Sequence, residues 1–243
     1  MTKFTVSLFA AALLLGAAPA VAADLPAGVV AAPPAAAAAL NTLSFEASPE
    51  FYALASSSHS ANTIADWYGK IGYSHNFGQG WSGSLGFQDT IKPATAAFLD
   101  GLSQQYYEAA IAYKLAVSKE FSVTVTGTLG YTAGNTSYAG GKATGGSNPD
   151  LGNSDDGYLY YAISGAADWK VDSHWTWNII NARYRNAFDR TWMTPKVTTG
   201  VTYNIDSTDA VYANVGYAWK DNGNGAGLLA DKWNVAVGYK YSF

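Results

Sequence analysis

Between Trp233 and Phe243 every second residue is apolar or aromatic: Trp233, Val235, Val237, Tyr239, Tyr241 and Phe243. The alternating positions Lys232, Asn234, Ala236, Gly238, Lys240 and Ser242 are polar or small. Only an extended strand has this period of two, because its successive side chains point to opposite faces. Aromatics and aliphatics on one face, with lysines on the other, describe a strand with hydrocarbon on one side and water on the other. Few folds tolerate such a strand. Backbone polar groups at membrane depth must be paired, so a strand facing lipid belongs to a sheet closed on itself.

The amino-terminal segment explains how such a chain reaches a membrane. Lys3 precedes an apolar run over 4–18 that ends in the small residues Ala20, Val21, Ala22 and Ala23. This reads as a secretory signal peptide over 1–22. It is followed by Asp24 and an Ala/Pro stretch, not by a basic flank, so it is not read as a membrane anchor. No other segment approaches the roughly 18 uninterrupted apolar residues of a membrane helix. Residues 23–42, with Pro33 and Pro34 ahead of five alanines, read as a periplasmic linker. The alternative for 35–40 is a short alanine helix folded into the lumen as a plug.

From residue 43 to 243, ten segments alternate with turns. The expected strands cover 43–54, 64–77, 81–91, 105–118, 121–133, 158–171, 175–188, 194–205, 210–220 and 231–243. Tight connections at 78–80, 119–120, 172–174 and 206–209 alternate with longer ones at 55–63, 92–104, 134–157, 189–193 and 221–230. Short turns at one end and long loops at the other is the transmembrane-barrel arrangement. The expected fold class is all-β, a transmembrane antiparallel up-and-down β-barrel of ten strands, with eight or twelve as alternatives. Charged residues make up 13% of the chain, against about 25% in ordinary soluble domains, too few to cover a soluble surface of this size. There are no cysteines, so neither disulfides nor thiolate metal sites operate. The net charge of −4 gives no electrostatic case for binding nucleic acid.

Odd-numbered positions form the outward face. Trp81, Phe121, Trp169, Tyr203, Tyr241 and Phe243 would ring one interface, and Trp67, Phe87, Tyr107, Tyr131, Tyr161, Trp219 and Trp233 the other. Two places resist the pattern. In the seventh segment Asn181, Arg183 and Arg185 are odd, and an arginine facing lipid at the midplane costs about 2–4 kcal/mol. A β-bulge near Ile179 and Ile180 would turn both arginines inward. Pro49 lacks a ladder donor and points to a bulge or a ragged first strand.

The closing strand ending on Phe243, with the alternation over 43–243, resembles Gram-negative outer-membrane β-barrels, whose final residue is very often Phe. No narrower motif accompanies the resemblance. It implies insertion in the outer membrane after signal cleavage, contact with outer-membrane lipid, and delivery by the barrel-assembly machinery through a signal that includes Tyr241 and Phe243. For barrels without a catalytic constellation it also implies porin-like passage of small solutes or ions. The alternative is a structural or surface-interaction barrel with a sealed lumen. Oligomeric state is open on this reading.

The inward positions carry the functional information. Glu46, Glu50, Asp66, Lys70, Glu108 and Lys114 come from the first four segments, and Arg183, Arg185, Lys196, Lys220, Lys232 and Lys240 from the last four. Closure would set Glu46 and Glu50 beside the basic wall, with salt bridges across the seam. Such a field orients ionic solutes and resembles the charged constrictions of porins. About eight strands leave an interior that side chains fill and about 16–18 leave an aqueous channel. Small inward residues such as Ser84, Ala110, Thr126 and Thr128 leave room, while Tyr52, Tyr68, Tyr106, Tyr158, Tyr160 and Tyr212 are expected to crowd the outer half. The sum is a narrow hydrated passage, with segment 92–104 as a candidate gate.

Catalysis needs a histidine with a partner at a solvated rim. His75 and His174 fall near the turn end, and His59 sits in the first loop beside Ser58 and Ser60. Serines near a loop histidine are common, so no catalytic site is assigned. Asp150, Asn153, Asp155 and Asp156 do not match the EF-hand spacing, and no metal site or cofactor is assigned.

Overall fold

A computed structural model describes residues 40–55, 60–92, 102–137, 157–188, 193–221 and 227–243. The expected signal peptide, the linker up to residue 39 with its plug alternative, His59, and the acidic stretch 150–156 lie outside these residues.

Ten strands run in sequence: β1 (Asn41–Tyr52), β2 (Ile64–Gly78), β3 (Trp81–Lys92), β4 (Leu102–Ala116), β5 (Phe121–Ser137), β6 (Tyr158–Lys170), β7 (Trp175–Ala187), β8 (Lys196–Asn204), β9 (Asp209–Asp221) and β10 (Leu228–Ser242). Each pairs antiparallel with its sequence neighbours, and β1 pairs with β10 to close the barrel. The ten-strand expectation holds. At the seam, the Asn41 amide donates to the Phe243 carbonyl at 3.0 Å and the Phe243 amide returns the bond at 2.9 Å.

The bounds differ where pairing outruns the local pattern. Asn41 and Thr42, expected in the linker, are strand because they pair with β2 and β10. Leu102 to Gln104, expected in a loop, belong to β4, and β5 runs past residue 133, because these two strands keep pairing as far as Leu102 and Ser137. β8 starts only after Pro195, which cannot donate to a ladder.

The fold is inside-out. Phe45, Ile71, Leu85, Ile111, Leu129, Val215 and Val237 are exposed on the outer face, whereas the buried cluster of Tyr106, Tyr158, Tyr160 and Ala187 lies in the lumen. That inversion suits a barrel bathed in lipid. Pro49 is accommodated without breaking β1. The register places it opposite Val235, and the Ser48 hydroxyl donates to the Val235 carbonyl at 2.9 Å, supplying the donor that proline lacks. The bulge expected near Pro49 falls instead in the partner strand, where pairing passes from Asp66 to Ile64 and leaves Ala65 extra.

The tight turns share one end with Asn41 and Phe243. In the β2–β3 turn Gly78, Gln79 and Gly80 all have positive φ, at 88°, 51° and 85°. The β6–β7 turn is capped by Asp172, whose carboxylate accepts from the amides of His174 and Trp175 at 2.7 and 2.8 Å. Asp206 does the same for Thr208 and Asp209 in the β8–β9 turn, at 2.7 and 2.8 Å. These amide bonds hold both carboxyls below the ordinary aspartate range. A depressed folded pKa contributes stability above the unfolded value of about 3.9 and loses it as pH falls through the folded value. Asp172→Ala and Asp206→Ala should therefore lower stability at pH 7. In urea unfolding of the refolded barrel, the gap to the parent should close below about pH 4.

Candidate functional site

The bulge in β7 decides what faces the lumen. Pairing with β6 steps from Ile180 to Asn178 and leaves Ile179 unmatched, while on the other side Asn178 and Asn181 bracket Thr199 alone. The Thr199 hydroxyl donates to the Asn178 carbonyl at 3.0 Å beside this step. Above it the parity reverses: Ile180, Tyr184 and Phe188 are exposed outward, and Arg183 and Arg185 turn in. The bulge expected near Ile179 and Ile180 is present.

The inward charges gather in two clusters within the loop-end half of the lumen. In the first, Lys232 sits between two carboxylates, 2.6 Å from Asp66 Oδ2 and 3.5 Å from Glu50 Oε2, with Lys196 Nζ 3.9 Å from Glu50 Oε1. The salt bridge expected across the β1–β10 seam forms at Glu50. Glu46 instead accepts from the Tyr68 hydroxyl at 2.8 Å. Asn234 Nδ2 joins the cluster, donating to Ser48 Oγ at 2.9 Å and to Tyr68 at 3.3 Å.

The second cluster centres on Glu108, which meets Lys70 Nζ at 3.2 Å and accepts from the Tyr160 hydroxyl at 2.9 Å. The Arg185 guanidinium lies 5.1 Å from the centre of the Tyr106 ring and 5.3 Å from that of Tyr160, and its Nε donates to Thr194 Oγ1 at 2.9 Å. Two glycines make this packing possible. A Cβ at Gly130 would overlap the Tyr160 ring, and one at Gly216 would collide with the Lys196 stem and the Asn234 amide.

The remaining sites lie apart. Lys220 pairs with Asp231 at 3.4 Å near the loop ends of β9 and β10, where pairing skips Asp231. Lys114 is exposed near the turn end, and Lys240 lies there with its ammonium 4.9 Å from the Tyr212 ring centre. Tyr212, expected to crowd the outer half, is opposite Thr202 near the β8–β9 turn, so it belongs to the other half. The reason is that β9 rises from that turn, so its early residues are low in the barrel. Below the charged layer the inward wall is mostly small and hydroxylated, including Ser82, Ser84, Ala110, Ala112, Thr124 and Thr126, all placed there by alternation along β3 to β5. Sequence reasoning placed Asn234 on the water-facing side of the last strand but missed Ser48, Gln104 and Asp168 as members of the polar interior. All three are even-numbered, so parity alone flags them. Asp168 accepts from Asn178 Nδ2 at 2.7 Å, and Gln104 accepts from the Tyr106 hydroxyl at 2.8 Å.

The two histidines among the described residues, His75 and His174, stay out of the lumen. His75 Nδ1 meets Asn41 Oδ1 at 2.9 Å. Ser173 Oγ lies 2.9 Å from His174 Nδ1 in an exposed turn, but the neighbouring Asp172 is spent on backbone amides.

An outer membrane channel from Pseudomonas putida F1 superposes on this barrel with a TM-score of 0.51 at 12% identity, over 90% of this chain and all of that one. The fold is that of an outer-membrane β-barrel. The NanC porin is similar with a TM-score of 0.48 at 10% identity, over 83% of this chain and 100% of that one. The KdgM porin, solved in complex with disordered oligogalacturonate, gives 0.41 at 12% identity, over 83% and 99%. No family model and no curated protein sequence matches the chain.

Two variants test how this outer-membrane barrel arranges its interior. Deleting Ile179 joins the inward Asn178 to the outward Ile180 in plain alternation, so Arg183 and Arg185 should stay in the lumen and the barrel should still refold into vesicles as read by heat-modifiable electrophoretic migration. Lys232→Met leaves Asp66, 1% exposed in its side chain, without its cation. It should cost about 3–5 kcal/mol in urea unfolding, part of which a second change, Asp66→Asn, should recover.

Proposed function

We propose that this barrel is a narrow, porin-like passage for ions and small solutes. The observation that carries the reading is the partial opening of the charged layer. Lys196, Glu50, Glu108 and Lys232 keep 17–20% of their side-chain surface accessible, and Lys70 keeps 37%, although all lie inside a closed wall. Groups packed into a dry plug would not. Behind them, Asp66 and Tyr160 are sealed off, so the space is confined to a narrow lane beside the clusters.

The sign of the lane follows from its residues. The inward bases Lys70, Lys114, Arg183, Arg185, Lys196, Lys232 and Lys240 outnumber the inward acids Glu46, Glu50, Asp66, Glu108 and Asp168, although the chain as a whole carries −4. Excess positive charge in a low-dielectric tube raises the local concentration of anions. The exposed outer belt is the lipid contact. Tyr241 and Phe243, stacked with ring centres 5.7 Å apart and exposed on the outside, are the segment we assign to recognition by the barrel-assembly machinery, following secretion through a cleaved signal. We assign no catalytic role to the chain.

Single-channel recording of refolded protein in planar bilayers tests the reading. Discrete steps with a preference for chloride over potassium are expected, and Arg183→Ala with Arg185→Ala should shift the reversal potential toward cation preference. A barrel that inserts and stays electrically silent would establish the sealed-lumen alternative.

A further inference from the structure

The β7 bulge has a chemical result beyond keeping arginines out of lipid. Arg183 and Lys196 are directly opposed across β7 and β8, and both point into the lumen. Like charges in that position repel and weaken a sheet unless a counter-charge joins them. The acids within electrostatic range are already engaged. Glu108 is held by Lys70 at 3.2 Å and Tyr160 at 2.9 Å, and Glu50 by Lys232 at 3.5 Å with Lys196 at a long 3.9 Å. Among the described residues nothing accepts from the buried Nε of Arg183. Arg185, on the same face, adds a third positive charge.

We propose that Arg183 and Lys196 form a docking site for a small oxyanion, a carboxylate or phosphate group, inside the charged layer. The site rests on the hydrated lane inferred above and names what it retains. Two oxygens of one anion match the parallel N–H bonds of a guanidinium edge, which a halide does not. The lysine supplies a point charge on the anion's other side. The cross-strand neighbour of Arg183 on β6 is Ser164, and Thr198 follows Lys196 on its own face, so small hydroxylated residues flank the site.

The chain has three arginines, Arg183, Arg185 and Arg190, so a nitrogen–proton correlation spectrum of the arginine Nε groups holds few signals. The experiment uses the refolded barrel in detergent micelles, with R183K identifying the Arg183 signal. Inorganic phosphate and sodium acetate are titrated against sodium chloride at matched ionic strength. A saturable shift of the Arg183 signal with phosphate, acetate or both, absent with chloride, supports the site, and the responding anion narrows its class. Lys196→Met should weaken that binding about tenfold. An unmoved signal, a shift that chloride reproduces, or unchanged affinity in Lys196→Met would overturn the proposal, provided each variant keeps heat-modifiable migration. R183K retains the charge and replaces any variant that fails this check, with loss of phosphate or acetate binding by calorimetry as its readout. Bilayer currents are read separately: saturable binding in a silent barrel would refute passage and keep the site, and conduction without the shift would remove the site alone.

Discussion

A backbone in hydrocarbon has no water to turn to, and this requirement governs the molecule. Every strand must find partners on both sides, which ten strands achieve only by returning β10 to β1. The rule is obeyed even where the chain carries a proline, since Ser48 lends its hydroxyl to the carbonyl that Pro49 cannot serve. Once the wall is closed, alternation assigns each side chain to lipid or lumen, and one extra residue at Ile179 reassigns the rest of β7.

The interior that results is polar, charged and crowded at one level. Buried ions are costly to desolvate, and here the cost is offset by sharing. Lys232 serves two carboxylates, Glu108 takes both an ammonium and a phenol, and Arg185 rests against two aromatic rings. Glycines at 130 and 216 admit the rings and stems that reach across neighbouring strands. The layer is therefore built from residues distant in sequence whose wall positions bring them to one height.

Much of this was legible in the residues. Strand number, the split between turn and loop ends, the outward aromatics and the β7 bulge all follow from a period of two and the cost of an arginine in lipid. What could not be read is height. Tyr212 and Tyr160 look alike as inward tyrosines, yet they occupy different halves, because each level depends on the strand's direction and on the stagger between strands. The triad of Glu50, Asp66 and Lys232 joins the first two strands to the last, and the skipped residues Ala65 and Asp231 help set its alignment. Neither residue differs from its neighbours in any pattern a linear reading detects. Pro49 did signal irregularity, but the extra residue was placed in the opposite strand.

The uneven placement of charge along the lumen has an electrical consequence for the passage proposed above. In a conducting tube, a half lined mostly by small and hydroxylated side chains and a half crowded with ionic groups would act as resistances in series, so a voltage imposed between the two mouths would fall mainly across the crowded one. An ion traversing the tube would meet the steepest gradient at the level where Arg183, Lys196 and Glu108 stand. Because the fixed charge stands off-centre along the tube, the two directions of travel are inequivalent, and a conducting barrel of this build would rectify.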